Sequence, residues 1–370
     1  MPEVQLFHGT VVHSTASSAA DVLPDHVLVV RRGRVEHLGP ARHLTDHLRR
    51  LGATDEDVVR LEADQLLLPG LVDAHIHPCQ YPNAGLALDL PLLEWLQRYT
   101  FPLEARFRDE EFAAGVYETV VERTLRNGTT CASYFASIHR PATERLADIC
   151  RRRGQRALVG KTCMDMNSPV DYCETTDASL QETEAFVAGQ LRRRCPLVRP
   201  SITPRFAITC SERLLDGLGA LARQHQLHVQ THLNETRPEK ELVARLFPAA
   251  ASYTDVYRRA GLLGPRTVLA HCLHHDEHEL QMMAASGAGV AHCANSNNSL
   301  RSGLCDVRRL HKAGVSVGLG TGEPDGERAR RGEEHNHSCT RTVHQVTGQA
   351  QPIAPQSWHT DTLAEASRQM

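Results

Sequence analysis

The chain has no apolar run long enough to cross a membrane as a helix. That excludes a helical membrane protein and predicts no membrane partner. It has no basic excess either. Forty-one Lys and Arg stand against 44 Asp and Glu, for a formal net charge of −3. A nucleic-acid binder would carry a basic stripe or surplus, so none is expected as a partner. There is no Cys-x-x-Cys pair among the 11 cysteines, which are odd in number and scattered. No secretory apolar segment opens the sequence. Together these predict a reduced, cytoplasmic protein with buried or idle thiols. Also missing is a Gly-x-Gly-x-x-Gly loop after the first strong strand, which argues against an open, doubly wound sheet.

What the chain does have is ordinary globular composition, with 41% hydrophobic and 23% charged residues over 370 positions. That length suits one α/β barrel with a small appendage. Residues 1–66 read as part of a small β domain. Residues 4–13 alternate loosely, and 26–30 and 35–38 flank the turn Arg31-Arg32-Gly33-Arg34. A helical segment follows at 41–51. This stretch holds too little apolar surface to fold alone, so partner strands from elsewhere are expected.

From residue 67 the pattern changes. Eight short apolar strands are expected at 71–77, 129–134, 156–161, 199–204, 228–233, 267–272, 288–293 and 315–321. Helical patterns lie between them. The clearest is 110–126, with Asp109 as N-cap and Gly128 just past its end; 179–194, 211–226, 276–285 and 306–312 behave similarly. Eight strands alternating with helices are the arithmetic of a (β/α)8 barrel of the TIM type, assigned to residues 67–321.

A barrel keeps its active site at the C-terminal ends of its strands. The first strand follows the turn Pro69-Gly70 and ends in His75-Ile76-His77. Residues two apart on a strand share a face, so both imidazoles can meet one metal ion. His232, His271 and His292 end the fifth, sixth and seventh strands, and Arg205 and Phe206 follow the fourth. Three neutral imidazoles with an oxygen ligand and a water suit Zn2+ or, second, Fe2+. Such an ion makes water nucleophilic near neutral pH. Glu235, three residues past His232, is placed to move protons; the competing reading is a solvated glutamate opening a helix. For Arg205 the competing reading is a surface salt bridge, and for Phe206 core packing.

The run from Pro69 to His77 resembles the first-strand signature of the amidohydrolase superfamily. Thr231-His232-Leu233-Asn234-Glu235, Ala270-His271 and His292-Cys293-Ala294-Asn295-Ser296-Asn297 resemble later ones, with Ala294 where proline is usual. Within the superfamily the chain is similar to the guanine deaminases. The distinctive segments are Leu88-Asp89-Leu90-Pro91-Leu92-Leu93-Glu94-Trp95-Leu96, Tyr99-Thr100-Phe101-Pro102, Asn127-Gly128-Thr129-Thr130 and Thr203-Pro204-Arg205-Phe206. The resemblance implies one zinc held by His75, His77 and His232, and His271 beside the reacting water. It implies Glu235 as the proton carrier and Gln80, Arg205 and Phe206 around a purine. It implies a homodimer and a small-molecule substrate, guanine, converted to xanthine and ammonia.

One departure matters. The strand-eight segment Val317-Gly318-Leu319-Gly320-Thr321 is followed by Gly322, where the resemblance expects an aspartate that completes the metal site and acts as base. Beyond it the similarity stops, so residues 322–370 are expected to be a divergent, poorly ordered tail lacking the eighth helix. Glu323 or Asp325 are the nearest substitutes for the missing carboxylate. The sequence therefore predicts impaired turnover. The alternatives are a purine, pterin or triazine deaminase, or a catalytically silent variant acting through subunit association.

Overall fold

The computed structural model describes residues 3–15 and 20–322. The expected tail from 323, with Glu323 and Asp325, lies outside the described residues. The chain divides into two compact units, one up to Gly70 and one from Leu71.

In the first unit β1 (Val4–His13) is central. It pairs antiparallel with β2 (Asp21–Arg31), which turns back into β3 (Arg34–Pro40). Arg32 and Gly33 make that turn with φ of 51° and 75°. Two consecutive positive φ values are the mark of a tight hairpin turn, which is why a glycine sits there. Short strands β4 (Val58–Arg60) and β5 (Leu66–Leu67) add parallel to β1. So among the described residues β1 finds these further partners within the unit itself. Leu6, Val27, Val29, Leu44 and Val58 form its small core. The expected helix begins later, as Leu44–Leu51 after a 3-10 turn.

The second unit is an eight-stranded parallel sheet: β6 (Leu71–Ile76), β7 (Thr129–Phe135), β8 (Arg156–Cys163), β9 (Val198–Pro204), β10 (His228–Leu233), β11 (Thr267–His271), β12 (Gly289–His292) and β13 (Val317–Leu319). Each strand pairs with its sequence neighbour. The ends of the first and last strands then meet. The Gly322 N–H donates to the His75 carbonyl and the His77 N–H to the Gly322 carbonyl, both at 2.9 Å. A side-chain clasp lies beside this bridge. Buried Asp73 accepts from the Thr321 hydroxyl at 2.7 Å and the Thr321 N–H at 3.1 Å. The result is the expected (β/α)8 architecture.

Helices are placed by the caps the sequence displays. Asp109 accepts from the Glu111 and Phe112 N–H groups and starts Glu110–Arg126. Ser211, Asp276 and Asp306 cap Glu212–Gln224, Glu277–Ser286 and Val307–Lys312 in the same way. Thr175 starts Thr176–Arg192. Inside the barrel, beneath the strand ends, lies a polar layer. Gln230 bonds the Ser133, Ser201 and Thr203 hydroxyls and the Tyr134 carbonyl. Each buried polar atom of Gln230 therefore has partners, and the floor under the site is fixed.

Candidate active site

Three imidazoles converge at the strand ends. His77 Nε2 lies 3.0 Å from His75 Nε2 and 3.0 Å from His232 Nε2. The His232 ring is oriented by its Nδ1–H, which donates to the Arg205 carbonyl at 2.7 Å. That leaves its Nε2 as a lone pair. Burial, then the neighbouring imidazoles, pushes all three pKa values well below the usual histidine range. Neutral rings cannot satisfy both contacts with protons, because one N–H on His77 can serve only one neighbour. One shared cation satisfies both. Four ligands about 2.0–2.1 Å from zinc stand about 3.3 Å apart in a tetrahedron, close to the spacing seen here. These residues therefore fit a zinc-like ion, and the same three form a group able to hold one.

Beside them lies a buried carboxylate–imidazole pair. Glu235 Oε2 is 3.6 Å from His271 Nε2. His271 is fixed by its Nδ1, 2.7 Å from Asn297 Oδ1, and burial holds its pKa down. Burial pushes the Glu235 carboxyl up, against the pull of the Arg205 guanidinium. Glu239 is also buried and pushed up, by burial first and then by the charge of Glu235. Its Oε2 accepts the N–H groups of Glu235 and Thr236 at 2.9 and 3.0 Å. Asn234 reaches φ of 53° with its amide held by Glu279 at 3.0 Å. Glu235 is thus aimed from both sides of the chain, not left as a solvated helix opener.

The opposite wall is polar and buried. Arg205 is 2% exposed, so the surface salt-bridge reading does not hold. Its guanidinium forks onto Glu104, Nη1 donating to Oε2 at 2.6 Å and Nη2 to Oε1 at 3.1 Å. Gln80 Nε2 donates to Glu104 Oε1 at 3.0 Å, and the Tyr172 hydroxyl to Oε2 at 2.8 Å. Phe206 is 4% exposed and shows an edge to His232, with ring centres 6.3 Å apart.

A pocket open to solvent joins these walls. The eight residues given a site role by the resemblance all line it: His75, His77, Gln80, Arg205, Phe206, His232, Glu235 and His271. His292, also at a strand end, does not. Gly322 does, together with apolar Leu92, Trp95, Leu96 and Leu300. Sequence reasoning missed Glu104, Tyr172 and Asn297 as supports. Only Asn297 carried a signal, inside the strand-seven motif.

The amidohydrolase family model matches residues 66–343. A guanine deaminase of Pongo abelii is 46% identical over 322 residues, covering 86% of this chain and 71% of that one. The chain belongs to the guanine deaminase branch of the amidohydrolase family. Among solved structures, a guanine deaminase from C. acetobutylicum with bound guanine in the active site superposes with a TM-score of 0.83. It is 30% identical and covers 96% of this chain and 83% of its own. An adenosine deaminase from Xanthomonas campestris with bound zinc superposes at 0.79, 25% identical, covering 94% and 75%. Position 322 is where the resemblance expects a carboxylate. Gly322 has φ of 73°, and a Cβ built there would stand 3.0 Å from the Ser296 Cβ. Among the described residues, no helix is long and apolar enough to cross a membrane.

Proposed function

We propose that this cavity binds guanine and removes its 2-amino group hydrolytically: guanine plus water gives xanthine plus ammonia. His75, His77 and His232 would hold one metal ion, Zn2+ in the first place and Fe2+ second. When bound, such an ion acts as a Lewis acid that makes water nucleophilic near neutral pH. The remaining work falls to the chain's own side chains. Arg205 and Gln80 hold the carbonyl-bearing edge of the purine, and Phe206 offers a stacking face. Glu235, protonated by burial near neutrality, can give a proton to the ring or to the departing amine and recover one from water. His271, neutral and tethered to Asn297, supplies an acceptor beside it. The observation that carries this reading is the meeting of three Nε2 atoms, Glu235 and the Arg205–Gln80 wall in one cavity.

The reading includes low turnover. The strand-eight position holds Gly322, so no carboxylate stands there to take the proton from water. Loss of a positioned base typically removes about 10²–10⁴ in rate. The same glycine favours a second reading, a catalytically silent variant that acts by associating with another subunit. A homodimer is the assembly the family suggests, and free cysteines support a reducing, cytoplasmic setting. The domain reading belongs to the proposal as well: 1–66 in a small β domain, 67–321 as the catalytic barrel, 322–370 as a divergent tail.

The test is metal content and guanine turnover on the purified chain, with pterins, triazines and other purines alongside. Stoichiometric zinc with slow, guanine-selective ammonia release supports the leading reading. Zinc-free protein, or preference for another base, overturns it. Bound metal with no turnover on any base favours the silent variant.

A further inference from the structure

Glu104 lies in the helix Phe101–Ala105 and is 1% exposed. Four hydrogen bonds converge on its carboxylate: two from Arg205, one from Gln80 and one from Tyr172. A fifth contact steadies the group, since the Arg205 Cζ sits 4.9 Å from the centre of the Phe101 ring. Gln80 and Arg205 line the cavity, whereas Glu104 does not. Its influence on a ligand therefore has to pass through those two side chains.

We infer that Glu104 sets the hydrogen-bond polarity of the purine-reading wall, fixing Gln80 as an acceptor and so selecting ligands with an N–H beside a carbonyl. The inference rests on the purine-site reading above. The chemistry is direct. A guanidinium is always charged, and the carboxylate it grips in a bidentate pair is ionised. An ionised carboxylate can only accept. Gln80 must then turn its NH2 toward Glu104, whichever way round the amide is drawn. One of its two N–H groups is then spent, and Oε1, which can only accept, is held beside the other instead of trading places with it. Arg205, with two nitrogens committed to Glu104, still has N–H groups to spare and can only donate. The wall thus presents one acceptor and one donor side by side.

The complementary ligand edge is a lactam, N–H next to C=O. Guanine and hypoxanthine carry it at N1 and C6. 2-Aminopurine keeps the amine of guanine but has a bare ring nitrogen and no carbonyl there. Set against this wall, its ring nitrogen faces the Gln80 oxygen, acceptor against acceptor. A site built on buried polar groups rejects such a ligand because those groups are left unpaired. Remove the charge at 104 and the Gln80 amide is free to turn over. It can then meet either edge, and discrimination shrinks.

Glu104 is on this view a positioning residue, and the readout is a binding ratio that does not depend on turnover. 2-Aminopurine fluorescence reports its own binding to the full 370-residue chain, and hypoxanthine is measured by displacement. The parent should favour hypoxanthine by about tenfold or more, one unpaired buried group being worth roughly that factor. Glu104→Gln should bring the ratio close to one while 2-aminopurine binding stays within about threefold. A merely structural Glu104 would weaken both ligands together and leave the ratio alone, and that result overturns the inference. Should Glu104→Gln fail to fold by circular dichroism, Gln80→Met decides. It keeps the Glu104–Arg205 pair and should weaken hypoxanthine about tenfold with 2-aminopurine unchanged. Retained hypoxanthine binding in Gln80→Met overturns the inference too. A parent that binds neither purine overturns the functional reading itself, and this inference with it. A parent that binds purines with a ratio indifferent to both substitutions overturns this inference alone.

Discussion

Asp73 and Thr321 are 248 positions apart in sequence and clasp the first barrel strand to the last. Thr321→Val removes the hydroxyl donor at 2.7 Å and keeps the shape and the backbone N–H at 3.1 Å. A hydrogen bond to a charged acceptor contributes about 1.5–3 kcal/mol. The lower end applies here. Thr321 is only half-buried, and burial already pushes the Asp73 carboxyl up to about 6 despite its donors. The expected loss is about 1.5 kcal/mol. Asp73→Ala also strands the Thr321 and His75 N–H groups, the latter at 3.2 Å, so its loss should be about 3 kcal/mol or more.

A body of this size shifts its melting temperature by about 2–4 °C per kcal/mol. Thr321→Val should therefore melt about 3–6 °C below the parent, and Asp73→Ala about 6–12 °C below. Thermal unfolding followed by circular dichroism at neutral pH reads both. The order is as informative as the size. If Asp73→Ala melts with the parent, the backbone bridge at Gly322 alone holds the strands and the clasp contributes nothing. If Thr321→Val costs as much as Asp73→Ala, the two backbone donors do not depend on the carboxylate.

Three more outcomes are expected. His77→Ala should lose zinc on dialysis against a mild chelator that leaves the parent loaded, because His77 is the nitrogen that touches both others; equal retention refutes the ligand assignment. Chelation of the parent should also lower its melting temperature, since an ion bound only by the folded state stabilises it by mass action. Glu235 and Glu239 are pushed up together, so the stability they contribute is full below the ordinary carboxyl range and is lost as pH rises through their raised folded values. Glu239→Gln should flatten that decline by about 1 kcal/mol or more, read by urea unfolding across roughly pH 5–8; an unchanged slope would contradict it. Gly322→Asp should raise guanine turnover only slightly, because the left-handed backbone costs a side chain about 1–2 kcal/mol and the new Cβ presses on Ser296. A gain of about 10²–10⁴ from that single change would show that the missing base was the whole deficit.

Local chemistry made the barrel legible. Apolar runs of strand length and the caps Asp109, Ser211, Asp276 and Asp306 act within a few residues, so the sequence displays them directly. Strand-end histidines were visible for the same reason, yet spacing alone treated His292 like His271, and only His271 reaches the cavity. What stayed hidden is what depends on distant parts of the chain. Glu104, Tyr172 and Arg205 belong to three separate elements, and no local pattern marks Glu104 as their meeting point. The Asp73–Thr321 clasp is hidden likewise. The helices Arg140–Arg153 and Tyr253–Arg259 also escaped notice, the first dense in arginine along its surface and the second only seven residues long.

The supports divide the cavity into parts that depend on different strands. The wall proposed to read the purine rests on Arg205 after β9 and on Glu104, Gln80 and Tyr172. Glu235 and His271 are held by Glu239 and Asn297. The three imidazoles come from β6 and β10 and their ends. The chain just past β13 gives the cavity only the backbone of Gly322. None of the hydrogen bonds that orient Arg205, Gln80 or Glu235 runs through that residue. A defect at 322 should therefore fall on the chemical step and on metal affinity while purine binding is kept. This is the pattern in which kcat drops and the dissociation constant for the base stays. If purine binding is lost as well, the wall and the strand-eight end are coupled through contacts other than these hydrogen bonds.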